Sequence, residues 1–361
     1  MAGRPLTGRR NRIYIMHNLQ LTEDQEMVVD TVRKLVADTV APTAQELDEH
    51  RTFVRPWFDE LAELGVYGLS LAEDNGGAGM GLVPYVAALE SVGEHSGSLA
   101  RLWIGQTQAV LAMEQAGGDL DELAAGAKLG VFLGAEHGFT LADGKVSGVA
   151  EMVPGAMEAD VLLVVAQAGD EVALVCVDAA ACQREPLHAL GLNSAACGRV
   201  RCDGVAGNAL QNAAAAIARA ELVGLLGVAA ASVGGAIGSI QAAKKHAGER
   251  IAFGKPLLVQ DAVQRKLVES GRAASAAQQL TWHAARLSDL GEAAAEVAIE
   301  ARIAAVDAMI LASDEAIQIH GGFGYTVEYH VERHYRDAAM FDVLDGGSGK
   351  LRDRLAATQF S

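Results

Sequence analysis

Aromatic residues make up only 5% of this 361-residue chain, and cysteine occurs four times. The first scarcity argues against an aromatic-rich β-sandwich. With 40 glycines and an alanine-crowded second half, it predicts helices packed closely through small side chains. Cys176, Cys182, Cys197 and Cys202 fall in one short window without a C-x-x-C pair, so neither a zinc ribbon nor a secreted disulfide scaffold is indicated, and a reducing cytoplasm is expected. Positive charge is in deficit, with 29 Lys and Arg against 46 Asp and Glu, a formal −17. Nucleic acid is therefore not the expected partner, because a duplex must be met by a basic face. There is no P-loop, no G-x-S-x-G elbow, no metal-ligand spacing and no fixed-period repeat. His330 and His334 are four apart but lack the H-E-x-x-H context, and read as a surface pair.

One stretch lacks charge altogether. From Leu222 to Ala243 it is long enough to span a bilayer. Gly224, Gly227, Gly234, Gly235, Gly238, Ser232, Ser239 and Gln241 leave it only mildly hydrophobic, so a buried central helix of a bundle is expected and no membrane span. The first twenty residues, basic at Arg4, Arg9, Arg10 and Arg12 but followed by no apolar segment, read as a disordered leader, with Met16 a candidate start.

What is present divides into three. Residues 21–127 read as helical, opened by Thr22-Glu23-Asp24-Gln25 with Gln25 at the capping-box position. Residues 128–206 change to short β-like runs, Val131–Leu133, Val161–Val165, Val172–Val177 and Val200–Cys202, split by Asp-Gly and Gly-Asp turns. Residues 207–361 return to long alanine-rich helices, interrupted at His320 through Tyr325.

Four clusters could carry chemistry. Glu73 through Gly79 is a glycine-dense turn, either linker or ligand-facing loop. Glu249 through Pro256 ends the long helix with cations and a glycine, which suits the helix dipole without any ligand. Gly321, Gly322 and Gly324 resemble half a dinucleotide fingerprint, but they follow a helical stretch where a Rossmann turn must follow a strand. What survives is a turn where backbone can approach a flat or anionic group, or simply a helix end; His320 beside it reads as packed or capping. Asp345, in Asp342 through Arg352, sits at the mouth of a glycine turn, and alone would be a turn former.

Together and in order, these clusters resemble the acyl-CoA dehydrogenase family across nearly the whole chain from Leu21. The likeness rests on Ala72 through Gly79, Arg250 through Pro256, Gln318 through Tyr325, and Glu328 with Glu332 through Ala338. The resemblance implies a mainly α fold with an N-terminal α domain, a small middle β domain and a C-terminal four-helix bundle, assembled as a homo-oligomer or an α2β2 complex. It implies FAD held across a subunit interface and oxidation of an acyl-CoA to the trans-2-enoyl thioester, with hydride passing to flavin N5 and electrons onward to an electron-transfer flavoprotein. It assigns Arg250 to the FAD pyrophosphate, Phe253 to the adenine, Gln260 to the adenine pocket, and Gln318, Gly321 and Gly322 to the FAD of a neighbouring subunit.

By the same resemblance the catalytic base is a Glu seven residues after an Arg-Asp-Ala; counting from Ala338 places Asp345 there, a methylene shorter. Glu221, one turn before the helix position used by some members, is a second candidate. Gly347 replaces the family's Thr, Ala135-Glu136-His137 stands for its Thr-Glu-Pro before a deletion, and Met152-Val153-Pro154 replaces the residues that line the flavin ring. Val146 through Asp160 looks most like a bacterial subgroup acting on bulky thioesters, steroid side chains included. These departures leave as rival a non-catalytic subunit completing a partner's site; a flavin oxidase, which differs only in oxygen access, is a third reading.

Overall fold

The computed structural model describes residues 20–252 and 254–360; the expected leader and Phe253 lie outside the described residues. Helices α1 (Glu23–Leu35), α2 (Ala41–Glu49), α3 (Arg55–Glu63), α4 (Val83–His95), α5 (Gly97–Ala116) and the short α6 (Asp121–Ala124) come first. Thr22 closes the expected capping box, accepting from the Gln25 amide while the Gln25 side chain accepts from the Thr22 amide.

The sheet follows, with β1 (Gly130–Leu133), β2 (Phe139–Ala142), β3 (Lys145–Val153), β4 (Val161–Ala168), β5 (Glu171–Asp178), β6 (Gln183–Pro186), β7 (Gly198–Ala206) and β8 (Asn208–Ala209). Their order is β6-β7-β3-β2-β4-β5-β8. β1 and β2 both run parallel to β4, at Val161–Val164 and then Ala166–Gln167, so together they line one side of β4 as a single strand broken by the 3-10 turn Ala135–His137. The bundle is α7 (Ala213–Glu249), a hairpin of β9 (Ile251–Ala252) and β10 (Lys255–Pro256), α8 (Asp261–Asp289), α9 (Ala295–His320), α10 (Val331–Val343) and α11 (Gly347–Phe360).

The uncharged run forms the middle of α7. That helix is long and apolar enough to cross a membrane, yet 83% of its most apolar stretch is buried within the molecule. Its glycines explain the fit: a Cβ at Gly234 would come within 2.0 Å of the Glu90 carbonyl oxygen, and one at Gly93 within 2.3 Å of the Ala231 carbonyl oxygen. α4 and α7 thus touch backbone to backbone, a distance only hydrogen-sized side chains permit.

α10 ties the segments together. Arg333 donates to the carbonyl of His95 at the end of α4, Arg336 pairs with Asp48 of α2 and Glu332, and Asp337 accepts from the Leu192 amide at 2.7 Å. His334, expected on the surface, is buried instead: it stands on the inward face of α10 next to Gly238 of α7, and isolated i, i+4 spacing carries no information about which face points inward.

Two outcomes follow from this packing. Gly234→Ala is expected to destabilise by about 1–3 kcal/mol through overpacking, whereas Gly271→Ala, with open space at its Cβ, gains about 0.5–1 kcal/mol; thermal melts compare them. Burial, then the neighbouring Asp48, push the Asp337 carboxyl up to about 6. A carboxyl raised above its unfolded value stabilises most when protonated. The stability of wild type relative to Asp337→Asn should therefore be greatest near pH 4, fall by up to roughly 3 kcal/mol as pH rises through 6, and level off above 7 in denaturant titrations.

Candidate active site

α5, the broken β1–β2 strand beside β4 and the α10–α11 turn converge on one cleft. After α10 the chain passes through Asp345, Gly346 and Gly347, all left-handed at φ +54°, +84° and +76°. Aspartate is among the few non-glycine residues that tolerate this region, so the turn can present a carboxylate. Arg302 of α9 holds the turn by donating to the Leu344 carbonyl at 2.6 Å.

The Asp345 carboxylate accepts from Arg101 Nη2 at 2.7 Å through Oδ1, and Arg302 Nη1 lies 3.9 Å from Oδ2. Both arginines are buried, at 7% and 2% exposure. Burial alone would raise the Asp345 carboxyl, but Arg101, Arg302 and His137 together outweigh it and hold it below the ordinary aspartate range. Among the described residues, Asp345 Oδ2, Arg101 Nη1 and Arg302 Nε have no hydrogen-bond partner.

Opposite Asp345, the 3-10 turn that breaks the β1–β2 strand presents Glu136 and His137. A register shift between Ala150 and Val153 on β3 brings Met152 beside them. The resulting open cleft has a volume of about 380 Å³. Behind Asp345 lies a narrower cavity of about 70 Å³, lined by Gln108, Gly224, Leu225 and Leu351. Glu221 lines this cavity too, but its carboxylate faces Arg354 at 3.4 Å. Asp345 alone borders both spaces and the apolar pocket above Arg101.

A second concavity, about 780 Å³, opens at the far end of α7 and brings together Arg250, Gln318, Gly321 and Gly322. Gly321 sits at φ +64°, ψ −141°, a conformation essentially reserved for glycine, and no atom lies within 4 Å of a Cβ built on Gly321 or Gly322. Backbone there is open to a ligand. The groove floor is a stack of His246 on His320 at 4.2 Å with Tyr329 edge-on to both. Burial lowers both histidines, which favours uncharged, flat rings. His320 is packed, as expected, with Nδ1 2.8 Å from the Ala316 carbonyl. Gln260 does not line this groove; it caps the start of α8. Among the described residues no cluster of metal-ligating side chains occurs, and all four cysteines are free.

Sequence reasoning missed Arg101, Arg302, His246 and Tyr329. Arg101 did leave a signal, as a lone charge inside the apolar run Leu99-Ala100-Arg101-Leu102-Trp103-Ile104. His246 and Tyr329 left none, being brought to His320 by tertiary packing.

A helical segment, a curled sheet and a helical bundle around a carboxylate-bearing cleft define a three-part flavoenzyme architecture. Residues 22–119 match the N-terminal domain of acyl-CoA dehydrogenase and residues 208–360 its C-terminal domain. The chain is 28% identical to benzylmalonyl-CoA dehydrogenase of Aromatoleum aromaticum, covering 95% of this chain and 100% of that one. It is 27% identical to the human mitochondrial short-chain specific acyl-CoA dehydrogenase, over 92% and 89% of the two chains. Butyryl-CoA dehydrogenase from Megasphaera elsdenii shares the fold at a TM-score of 0.87 and 23% identity, over 95% and 99%. The chain belongs to the acyl-CoA dehydrogenase family, whose members are FAD-binding oxidoreductases. The residues present fit that cofactor: an open cleft beside a carboxylate, and a groove with an arginine, a glutamine and exposed glycine backbone.

The charge balance at Asp345 has a measurable consequence. A carboxyl held below its unfolded value contributes stability that is present above that value and lost as pH falls through the folded one. Asparagine tolerates the same left-handed backbone, so Asp345→Asn isolates the charge. The variant should be less stable than wild type by an amount that is constant from pH 8 to 5 and closes only below about pH 4, in denaturant titrations.

Proposed function

We propose that this chain catalyses the α,β-dehydrogenation of an acyl-CoA thioester, with Asp345 as the base that removes the Cα proton. The reading rests on one observation: among the described residues Asp345 is the carboxylate that borders the open cleft, the cavity behind it and the pocket above Arg101, whereas Glu136 borders only the first two and faces His137. Oδ1 is engaged by Arg101, so the proton is received at Oδ2, which has no partner among the described residues. FAD, when bound, supplies the acceptor for the hydride leaving Cβ. Met152, Val153 and Pro154 form the wall facing Asp345 and keep water from the reacting carbons.

The cofactor's phosphates and adenosine would be held by Arg250, Gln318 and the Gly321–Gly322 backbone. Gly224 beside the inner cavity and His246 in the groove lie on one helix, about 33 Å apart at 1.5 Å per residue. That separation supports a homo-oligomer in which the groove of one copy serves the cleft of another. Electrons would then leave to a separate electron-transferring flavoprotein.

A second reading is favoured by the same ion pair. Arg101 weakens Asp345 as a base, and the inner cavity is small, as suits a non-catalytic subunit that completes a partner's site.

Anaerobic mixing of the flavin-loaded protein with a panel of acyl-CoAs tests both. Bleaching of the flavin band with at least one thioester is expected, slowed about 10²–10⁴-fold in Asp345→Asn. Arg250→Met should retain less FAD per protein after gel filtration. No bleaching with any thioester overturns the catalytic reading, and co-purification with a related subunit that restores turnover then supports the second.

A further inference from the structure

Arg101 is expensively placed. It sits in the apolar core of α5 at 7% exposure, and a buried guanidinium costs several kcal/mol unless its donors are fully used. They are not: Nη1 has no partner among the described residues, nor does Nε of Arg302. Two arginines share a single carboxylate, whose second oxygen is itself without a hydrogen bond. An unpaired donor alone does not mark a ligand site, since the structural Arg333 also leaves Nε and Nη1 without partners while Arg336 has Nε, Nη1 and Nη2 donating to Glu332, the Leu190 carbonyl and Asp48; what sets Arg101 apart from Arg333 is that it lines a pocket beside the carboxylate it shares.

The residue that carries this unpaired donor also lines a pocket. Arg101 and Asp345 line one pocket with Leu102, Leu133 and Val153. Glu136, which faces His137 at 3.4 Å, and Asp342 act on Arg302 only through space, so within ion-pair distance the two guanidiniums have one carboxylate between them. A purely aliphatic chain in that pocket would be laid against an unsatisfied guanidinium, which is a cost.

Resting on the acyl-thioester reading above, we infer that the cleft selects thioesters bearing a second, free carboxylate a few carbons from the thioester, received by Arg101 in exchange for Asp345. The substrate carboxylate takes the bidentate face that Asp345 half fills, and Asp345 is released toward Cα. The exchange requires the left-handed turn between α10 and the glycines to give as the substrate enters. The cation that holds down the carboxyl of Asp345 is then neutralised by the substrate itself, so the base gains strength when the right thioester is present.

The test is equilibrium binding to the flavin-loaded protein by titration calorimetry under anaerobic conditions, with chain-matched pairs: succinyl-CoA against butyryl-CoA, glutaryl-CoA against pentanoyl-CoA, and free CoA as the baseline. The carboxylated member of at least one pair should bind about tenfold or more tightly than its neutral counterpart, the worth of one charge-assisted hydrogen bond. Asp345→Asn, which removes the internal competitor, should widen that preference. Arg101→Met should abolish it while neutral thioesters still bind. Equal or tighter binding of the neutral members in both wild type and Asp345→Asn would overturn the inference, and the Asp345→Asn arm decides even where Arg101→Met does not fold. Neutral thioesters that bind and bleach the flavin would leave the dehydrogenase reading standing; failure of every thioester to bind better than free CoA would remove both.

Discussion

The cleft exists because α10 is pinned from three sides by buried charge. Arg333 reaches the end of α4, Arg336 reaches Asp48 of α2, and Asp337 receives the Leu192 amide from the loop after β6 while packing against Gly97 at the start of α5. Each contact joins the bundle to a different segment of the chain. The Asp345 turn begins two residues after α10 ends, so its position relative to α5 and the β1–β2 strand is set by this network. Buried ion pairs are weak sources of net stability but strong sources of register, since a slipped α10 would strand a charge in the core. α7 supplies the complementary constraint, because backbone contact at Gly93 and Gly234 leaves α4 and α7 no freedom to slide.

Much of this architecture was legible in the sequence because it depends on local pattern. The Thr22 cap, the burial of the uncharged run in α7 and the middle strands β4 and β5 follow from side-chain chemistry at fixed spacing. The nine-residue β3, as long as β7, was not read as a strand. It carries Gly148 at φ +154° and its pairing to β7 shifts register twice, so its alternation of exposed and buried residues is broken where the cleft is built. β6, with Pro186 and mostly exposed side chains, has an edge strand's composition and little hydrophobic signal.

The candidate site divides the same way. Residues adjacent in sequence to glycine turns, Arg250, Gln318, Gly321, Gly322 and Asp345, could be named because those turns carry the motifs on which the family resemblance rests; turn chemistry alone left them as helix ends and turn formers. Residues that act from helix interiors could not: Arg101 and Arg302 lie 201 positions apart in the numbering, on α5 and α9, and meet only through the fold. His246 and Tyr329 are similar, joined to His320 by packing at the far end of α7.

The chemistry of Asp345 turns on those two missed arginines. As the proposed base, Asp345 is one methylene shorter than the Glu that the family resemblance implies and must reach farther, and a misplacement of ~1 Å can cost about 10²-fold. In the resting arrangement it is drawn toward Arg101, with its carboxyl held low. Reach and basicity are thus limited by the same contact, and anything that competes for Arg101 relieves both at once. A longer Glu paired to Arg101 would keep the reach while remaining a weak base; an Asp in a left-handed turn beside two glycines can be handed over and move. On the proposed reading, the substitution that looks like a loss of function is, beside Arg101, an arrangement in which base strength would answer to what occupies the pocket.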